Sequence, residues 1–513
     1  ASQHEPSQAP LTGGVLWLAT IVLATSNFMA VLDMTIANVS VANIAGSLGI
    51  SSSQGTWIIT SYAVAEAIIV PLTGWLAGRF GAVRVFTTAM ALFGAFSALC
   101  GMADSLGMLV LGRVLQGLAG GPLMPLSQTL LLRIFPADKA TAATALWAMT
   151  TLVAPVAGPI LGGWLCDNYA WPVIFTINIP IALACSLIAW RMLRRYESAL
   201  ERKPIDVVGL ALLIVFVGAL QLMLDLGKEH DWFESDLICA LAVVAVVGLC
   251  AFLIWELTEA HPIVELRVFR HRGFVVGVLT LALGYGAFFG ANVVTPLWLQ
   301  SWMGYTATWA GMTTAWSGVL AIFCAPLAGA LMSKLGVDPR RLICFGVLWI
   351  GLVTAWRTIA TTDMTYWQIA IPLLVTGIGM PFFFVPVTAL GLGSVEEAET
   401  ASAAGLMSFL RTLSGAVATS IVSTSWEDKS SVMHAELAGL VDATGETART
   451  LAASGMGPDA VRESLDRMAQ SQGVMLATNE LMGLVAASFL LAALVIWLAP
   501  RPTRAIDMAQ AGH

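Results

Sequence analysis

Apolar stretches of about 20 residues, broken by short polar connections, recur along the whole 513-residue chain. An α-helix needs a run of that length to cross about 30 Å of hydrocarbon. The pattern therefore predicts spans at roughly 14–39, 55–77, 84–104, 107–132, 140–165, 171–191, 206–225, 237–258, 274–300, 307–333, 341–359, 367–391, 400–424 and 479–499. Fourteen spans, an even number, put both termini on one side. One connection is long: 425–478 mixes charge with Gly and Ser, and within it Asp459–Met468 has the spacing of a short amphipathic helix on the external face. It reads either as a solvated spacer or as a docking surface. The expected layout is a tail at 1–13, a six-helix bundle at 14–191, a basic linker at 192–205, a two-helix insert at 206–258, a second bundle at 259–500 and a tail at 501–513.

Composition agrees and narrows the class. The chain is 58% hydrophobic and 11% charged, against about 25% charged for soluble domains. Soluble enzymes, nucleic-acid binders and disulfide scaffolds are excluded. Seven cysteines without C-x-x-C spacing read as small apolar fillers, with no metal site suggested. The polar segment at 1–12 lacks a basic n-region, so the first run is expected to be a retained span rather than a signal peptide. With the N-terminus inside, the cytoplasmic loops carry 17 of the 25 Lys and Arg and the external segments six. The bias places both termini in the cytoplasm.

An internal repeat gives the spans an order. Pro71-Leu-Thr-Gly-Trp-Leu-Ala-Gly-Arg-Phe-Gly81 matches Pro326-Leu-Ala-Gly-Ala-Leu-Met-Ser-Lys-Leu-Gly336 at an offset of 255. Gly49 pairs with Gly304 at that offset, and Ala37-Asn-Val39 faces Ala291-Asn-Val293 one residue off. Span 2 thus corresponds to span 10. Two six-helix halves related by an axis along the membrane normal are a transporter arrangement, with a cavity between halves that rock.

Several motifs then resemble one family, the major facilitator superfamily, and within it the 14-helix drug:proton antiporter branch of the EmrB/QacA kind. Leu32-Asp-Met-Thr-Ile-Ala-Asn-Val39 is similar to that branch's first-span signature. Gly74-x-Leu-Ala-x-Arg79-x-Gly81 with Arg84 resembles the loop 2–3 motif, and Leu109-x-x-x-Arg113-x-x-Gln116-Gly117 the fourth-span motif. Ala157-Gly158-Pro159-Ile-Leu-Gly162-Gly163 resembles the antiporter motif of span 5, and Trp171–Pro180 the start of span 6. Arg411-Thr-Leu-Ser-Gly415, Leu224–Trp232, Trp255-Glu256 and the long last external loop point to the EmrB subgroup. Gly78 stands where many members have an Asp, so a gate charge pair built on that Asp cannot form. The resemblance implies an all-α fold of two six-helix bundles plus a two-helix insert. It also implies a periplasmic adaptor and an outer-membrane channel as partners, with 425–478 as a candidate contact.

The chemistry of these residues can be argued separately. A carboxylate in a span costs several kcal/mol, about 2.5–3.5 at a helix centre, unless protonated, paired or wetted. Asp33 and Glu66 both bear that cost. Burial favours a neutral carboxyl, so either could take a proton from one side and release it to the other. Asp33 with Asn38 also reads as a hydrogen-bonded structural pair. Glu66 reads as a paired carboxylate, a second titrating site or a feature favouring cationic substrates. Arg113 stays charged, and its approach to a carboxylate would help expel a proton. Arg411 has a similar claim or braces its helix. Gly158, Pro159, Gly162 and Gly163 remove side chains and a backbone donor from one face, for close packing or a bend. Candidates for a deformable cavity are Asn38, Trp57, Gln116, Asn292, Trp316, Phe383 and Arg411, with lipid contact or core packing the alternative for each aromatic residue.

No Gly-x-x-x-x-Gly-Lys-Ser/Thr loop, H-E-x-x-H or Gly-x-Ser-x-Gly motif occurs. The expectation is an inner-membrane antiporter, driven by the proton gradient without a cofactor, that exports lipophilic or amphiphilic compounds. Lipid and small lipophilic substrates are its expected partners. The alternatives are an exporter of one metabolite, such as a fatty acid or siderophore, and a membrane ligand sensor.

Overall fold

The computed structural model describes residues 11, 13–50, 52–135, 140–198, 200, 204–227, 230–333, 335–396, 399–440 and 445–500, and these form helices without strands. Span 1 is α1 (Gly13–Leu48). Span 2 is α2 (Ser52–Ile69) and α3 (Thr73–Phe80), bent by 58° at Pro71. Spans 3 and 4 are α4 (Ala82–Gly101), then α5 (Leu106–Gly120) and α6 (Leu123–Ile134). Spans 5 and 6 are α7 (Ala140–Asn168), then α8 (Val173–Thr176) and α9 (Asn178–Leu193). The insert is α10 (Val207–Leu226) and α11 (Asp236–Thr258). The second half has α12 (Arg272–Ser301), α13 (Ala307–Ser333), α14 (Pro339–Trp356), α15 (Tyr366–Gly393), α16 (Thr400–Leu440) and α18 (Pro458–Val495), with short α17 (Glu446–Ala453) before the last.

Breaks fall where the backbone chemistry puts them. Pro71 and Pro122 each follow the end of a helical segment, because proline has no N–H to donate and disfavours the α region in the residue before it. Asp206 caps α10 by accepting from Gly209 N, and Thr365 with Gln368 forms a capping box on α15. Pro372, Pro381 and Pro386 lie inside the continuous α15, as spans tolerate when neighbouring groups satisfy the freed carbonyls.

The repeat is visible as geometry. Gly49 and Gly304, in the connections after α1 and α12, adopt φ 66° and 69°, and Gly81 and Gly336 adopt φ 96° and 61°, values that favour glycine. The pairings α1 with α7, α2 with α5 and α4 with α9 recur as α12 with α16, α13 with α15 and α14 with α18. The counterparts Pro71 and Pro326 differ: the first breaks its span, the second sits inside α13.

The 3/6 and 11/14 pairs are also tied at the same face by opposite chemistries. Glu197 after span 6 accepts from the backbone N of Val83 (2.8 Å) and Arg84 (3.1 Å), while Arg340 donates to the Ala499 carbonyl after span 14 at 3.0 Å.

The segment read as a loop at 425–478 is largely helical. α16 is 41 residues long and α18 is 38; at 1.5 Å per residue each is about 60 Å, twice the hydrocarbon thickness. The amphipathic stretch 459–468 is the first part of α18. Trp426 Nε1 donates to Thr478 Oγ1 at 2.8 Å, Lys429 pairs with Glu480, and α17 covers Val461 and Leu465. Polar residues on the outer faces masked this continuity, since a hydropathy window sees only the membrane-depth part. The projecting hairpin marks one face of the bundle, here the hairpin face.

Two seams join the halves. At one, α7 packs along α13: a Cβ on Gly311 would lie 2.7 Å from the Pro159 carbonyl carbon, and Thr308 Oγ1 donates to Asp167 at 2.6 Å towards the hairpin face. At the other, α10 lies against both α2 and α16. Near its hairpin-face end Asp225 accepts from Thr60, and Ser420 Oγ donates to the Leu224 carbonyl at 2.7 Å. The insert therefore bridges the halves.

Candidate functional site

The candidate site is a polar knot inside the first half. Asp33 is 1% exposed in the middle of α1, and Arg113 is fully buried on α5. Arg113 NH1 donates to Asp33 Oδ2 at 2.6 Å and to Gln116 Oε1 at 2.7 Å; its Nε donates to the Ile58 carbonyl at 2.9 Å. Arg113 and Gln116, three apart on a helix, face the same way. Gln116 Nε2 then donates to Asp33 Oδ1 at 3.0 Å and approaches Ser97 Oγ at 2.8 Å. Asn178 Nδ2 gives Oδ1 a second donor at 2.7 Å. The guanidinium lies 4.3 Å from the Tyr62 ring centroid and 5.5 Å from that of Phe175. Spans 1, 2, 3, 4 and 6 all contribute.

This arrangement meets the cost of burying charge, because the carboxylate receives three donors and the cation has a partner. One group is left over: Arg113 NH2 is buried without a hydrogen-bond partner among the described residues.

The small residues of span 5 sit beside the knot. A Cβ on Gly158 would collide with the Thr35 side chain, and one on Gly162 would lie 3.2 Å from the Ile36 carbonyl oxygen. Thr35 and Ile36 follow Asp33 within one turn. Gly163 is buried on the same helix, and neighbouring Pro159 faces Gly311 across the first seam.

The other predicted residues lie elsewhere. Glu66 on α2 is partly buried and feels the charges of both Arg411 and Arg113. Arg411 on α16 contacts Met124 Sδ of the first half and lies 5.6 Å from the Tyr285 ring centroid, with its Nε unpartnered among the described residues. Gly74, Arg79 and Arg84 are exposed. Gly81 is buried where a side chain would run into the Glu197 carboxylate, and Arg84 Nε is 3.9 Å from that carboxylate. Trp316 bonds Tyr366 Oη at 2.9 Å and packs on Trp367. Phe383 is fully buried against Gly284 in the core of the second half. Asn292 lines a small cavity in that half. Trp57 is partly buried on α2, away from the Asp33 bonds, and the Asn38 side chain lies outside the described residues.

Sequence reasoning missed Asn178, Ser97 and Tyr62 as members of the knot. Asn178 carried a usable signal, being an amide within an otherwise apolar span.

Comparison with known proteins agrees with this architecture. Residues 23–419 match the Major Facilitator Superfamily. The chain is 44% identical to the Multidrug export protein EmrB of Haemophilus influenzae over 498 residues, covering 96% of this chain and 97% of that one. It is 43% identical to the Fatty acid resistance protein FarB of Neisseria gonorrhoeae over 497 residues, 96% of this chain and 98% of that one. Among solved structures, a bacterial homologue of the human lysosomal transporter Spinster aligns with TM-score 0.59 at 16% identity, over 96% of this chain and all of that one. A peptide transporter of the POT family aligns with TM-score 0.62 at 13% identity, over 95% and 96%; these two share the fold. The chain belongs to the major facilitator superfamily and is a membrane transporter of the EmrB kind, not an enzyme.

Proposed function

We propose that the protein exports hydrophobic or amphiphilic compounds across the inner membrane in exchange for protons, by alternating access. The observation that carries this reading is the Asp33 carboxylate, buried, held by Arg113, Gln116 and Asn178, and set within one turn of the α1–α7 packing contact. Protonating Asp33 would cancel its attraction to Arg113 and weaken three charge-assisted bonds. The strain would pass through Thr35 and Ile36 to Gly158 and Gly162, then through Pro159 to Gly311 in the other half. That contiguous chain couples a proton to the seam. Glu66, which feels the charge of Arg411 from the other half, supplies a second charged group that substrate could perturb.

The positive-inside bias assigns the hairpin face to the periplasm and both termini to the cytoplasm. The long α16–α18 hairpin suits a contact with a periplasmic adaptor leading to an outer-membrane channel. EmrB relatives named as multidrug exporters support broad substrate choice. A second reading, export of one amphiphile class such as fatty acids, is favoured by the near-equal identity to a fatty acid resistance protein. A substrate panel in proteoliposomes tests both: flux with several unrelated lipophilic cations supports the first, and flux with fatty acids alone supports the second.

A further inference from the structure

The second half contains a cavity in the place that the Asp33 knot occupies in the first. Its walls come from spans 9, 10, 11, 12 and 14, the repeat counterparts of spans 3, 4 and 6 together with 1 and 2, which build the knot. At the repeat offset of 255 Tyr62 falls on Ser317, which lines the cavity; in span 1, where the matches lie 254 and 255 apart, Asp33 falls on Ala287 or on its neighbour Phe288, of which Phe288 lines the cavity. Arg113 and Leu373 each lie seven residues after the first residue of their helices, Leu106 and Tyr366. Gln116 and Thr376 follow them by three, and Leu373 and Thr376 are also on the cavity wall.

The repeat has thus replaced the carboxylate with an apolar residue, Ala287 or Phe288, and the span 4 arginine with Leu373, but a cation is still present. Arg357, at the end of span 11, lines the cavity and donates from NH2 to Thr295 Oγ1 at 2.5 Å. Among the described residues no acidic side chain pairs with it or acts on it electrostatically. A guanidinium drawn into the bundle without a counter-charge bears a desolvation cost that no ion pair offsets. In the first half the equivalent cost is offset by Asp33. Here the walls offer uncharged polar groups, Asn292, Ser317 and Thr376, beside apolar Phe288 and Leu373.

We propose that this cavity binds a small monoanionic group, with Arg357 as its counter-charge and the polar wall as its hydrogen-bonding partners. The anion supplies from outside the charge that Asp33 supplies from within the chain. The same chemistry can come from a free halide or from the carboxylate head of an amphiphile. The inference does not depend on proton coupling.

The test is thermal unfolding of the purified protein in neutral detergent, in a sulfate background of constant ionic strength. Chloride, acetate and octanoate are titrated separately against wild type, Arg357→Gln, Arg357→Lys and Thr376→Val. The expected result is a saturable rise in the unfolding midpoint for wild type. Half-saturation should weaken about tenfold or more in Arg357→Gln, the loss of one charge-assisted bond, with partial recovery in Arg357→Lys. Thr376→Val, which keeps the cation and the packing volume, should weaken binding less. Chloride as the effective anion assigns a free halide; octanoate, with chloride inert, assigns an amphiphile's head group. No saturable effect in wild type from any of the three overturns the proposal, as does an effect unchanged in both Arg357→Gln and Thr376→Val.

Discussion

Asn178 at the start of α9 donates its side-chain amide to Asp33 Oδ1 at 2.7 Å, so span 6 is bonded to the same carboxylate that span 4 holds through Arg113 and Gln116. Span 1 is thereby fixed between two neighbours at mid-membrane by one side chain. Any change in that side chain's charge is felt by three helices together.

The pair is predicted to be interdependent. Arg113→Ala leaves a buried carboxylate without its cation and should destabilise the fold by about 3–5 kcal/mol. Asp33→Asn with Arg113→Gln removes both charges and should recover most of that loss without restoring transport. Unfolding midpoints in detergent, set beside vesicle transport, check the two halves of this statement.

The glycines of span 5 should differ in tolerance. Gly158→Ala forces Thr35 aside, where its hydroxyl donates to the Leu32 carbonyl at 2.9 Å, and overpacking of this kind costs about 1–3 kcal/mol. Gly162→Ala meets Ile36 at 3.2–3.4 Å and should cost less. Adding Thr35→Ala to Gly158→Ala opens the space and should restore expression and stability; failure of that rescue would place the cause elsewhere.

The first seam should lock. Asp167 and Thr308 are hydrogen-bonded across the halves at 2.6 Å, so Asp167→Cys with Thr308→Cys in a background lacking the seven native cysteines should cross-link on oxidation. Transport is expected to stop when the bond forms and to resume on reduction. Transport that continues in fully cross-linked protein would exclude opening at this seam.

One charge cluster outside the spans predicts a pH dependence. Burial pushes the Glu399 carboxyl up, but the His271 ring at 2.8 Å and the Arg270 guanidinium at 2.9 Å outweigh it and hold Glu399 below the usual range. A depressed carboxyl contributes stability that is complete above its unfolded value, about 4.3. That contribution disappears as pH falls through the lower folded value. The gap in unfolding midpoint between wild type and Glu399→Gln should be present near pH 5 and close below 4.

Fourteen spans, the insert and the two-half repeat were legible because membrane helices are long, apolar and repetitive, and because Pro71–Gly81 recurs at Pro326–Gly336. Asp33 and Arg113 were legible as charged groups within spans, and Gln116 as a member of the fourth-span motif and a cavity candidate. The further donor to Asp33, Asn178, could not be placed, because hydropathy records that an amide is unusual but not which helix it faces. The α16–α18 hairpin was hidden for the converse reason: outside the membrane a helix no longer needs an apolar surface, so its continuation looks like a loop. Arg357 is one of the six Lys and Arg counted as external in the sequence, where it served only to mark topology. Only packing brought it to a cavity wall.

Proton movement in proteoliposomes containing a pH-sensitive dye reports directly on coupling through Asp33, with lipophilic cations and fatty acids added to wild type and Asp33→Asn. Substrate-triggered proton flux in wild type, lost in a folded Asp33→Asn protein, is the predicted result. Substrate transport in wild type without any proton movement, or undiminished proton flux in Asp33→Asn, would contradict it.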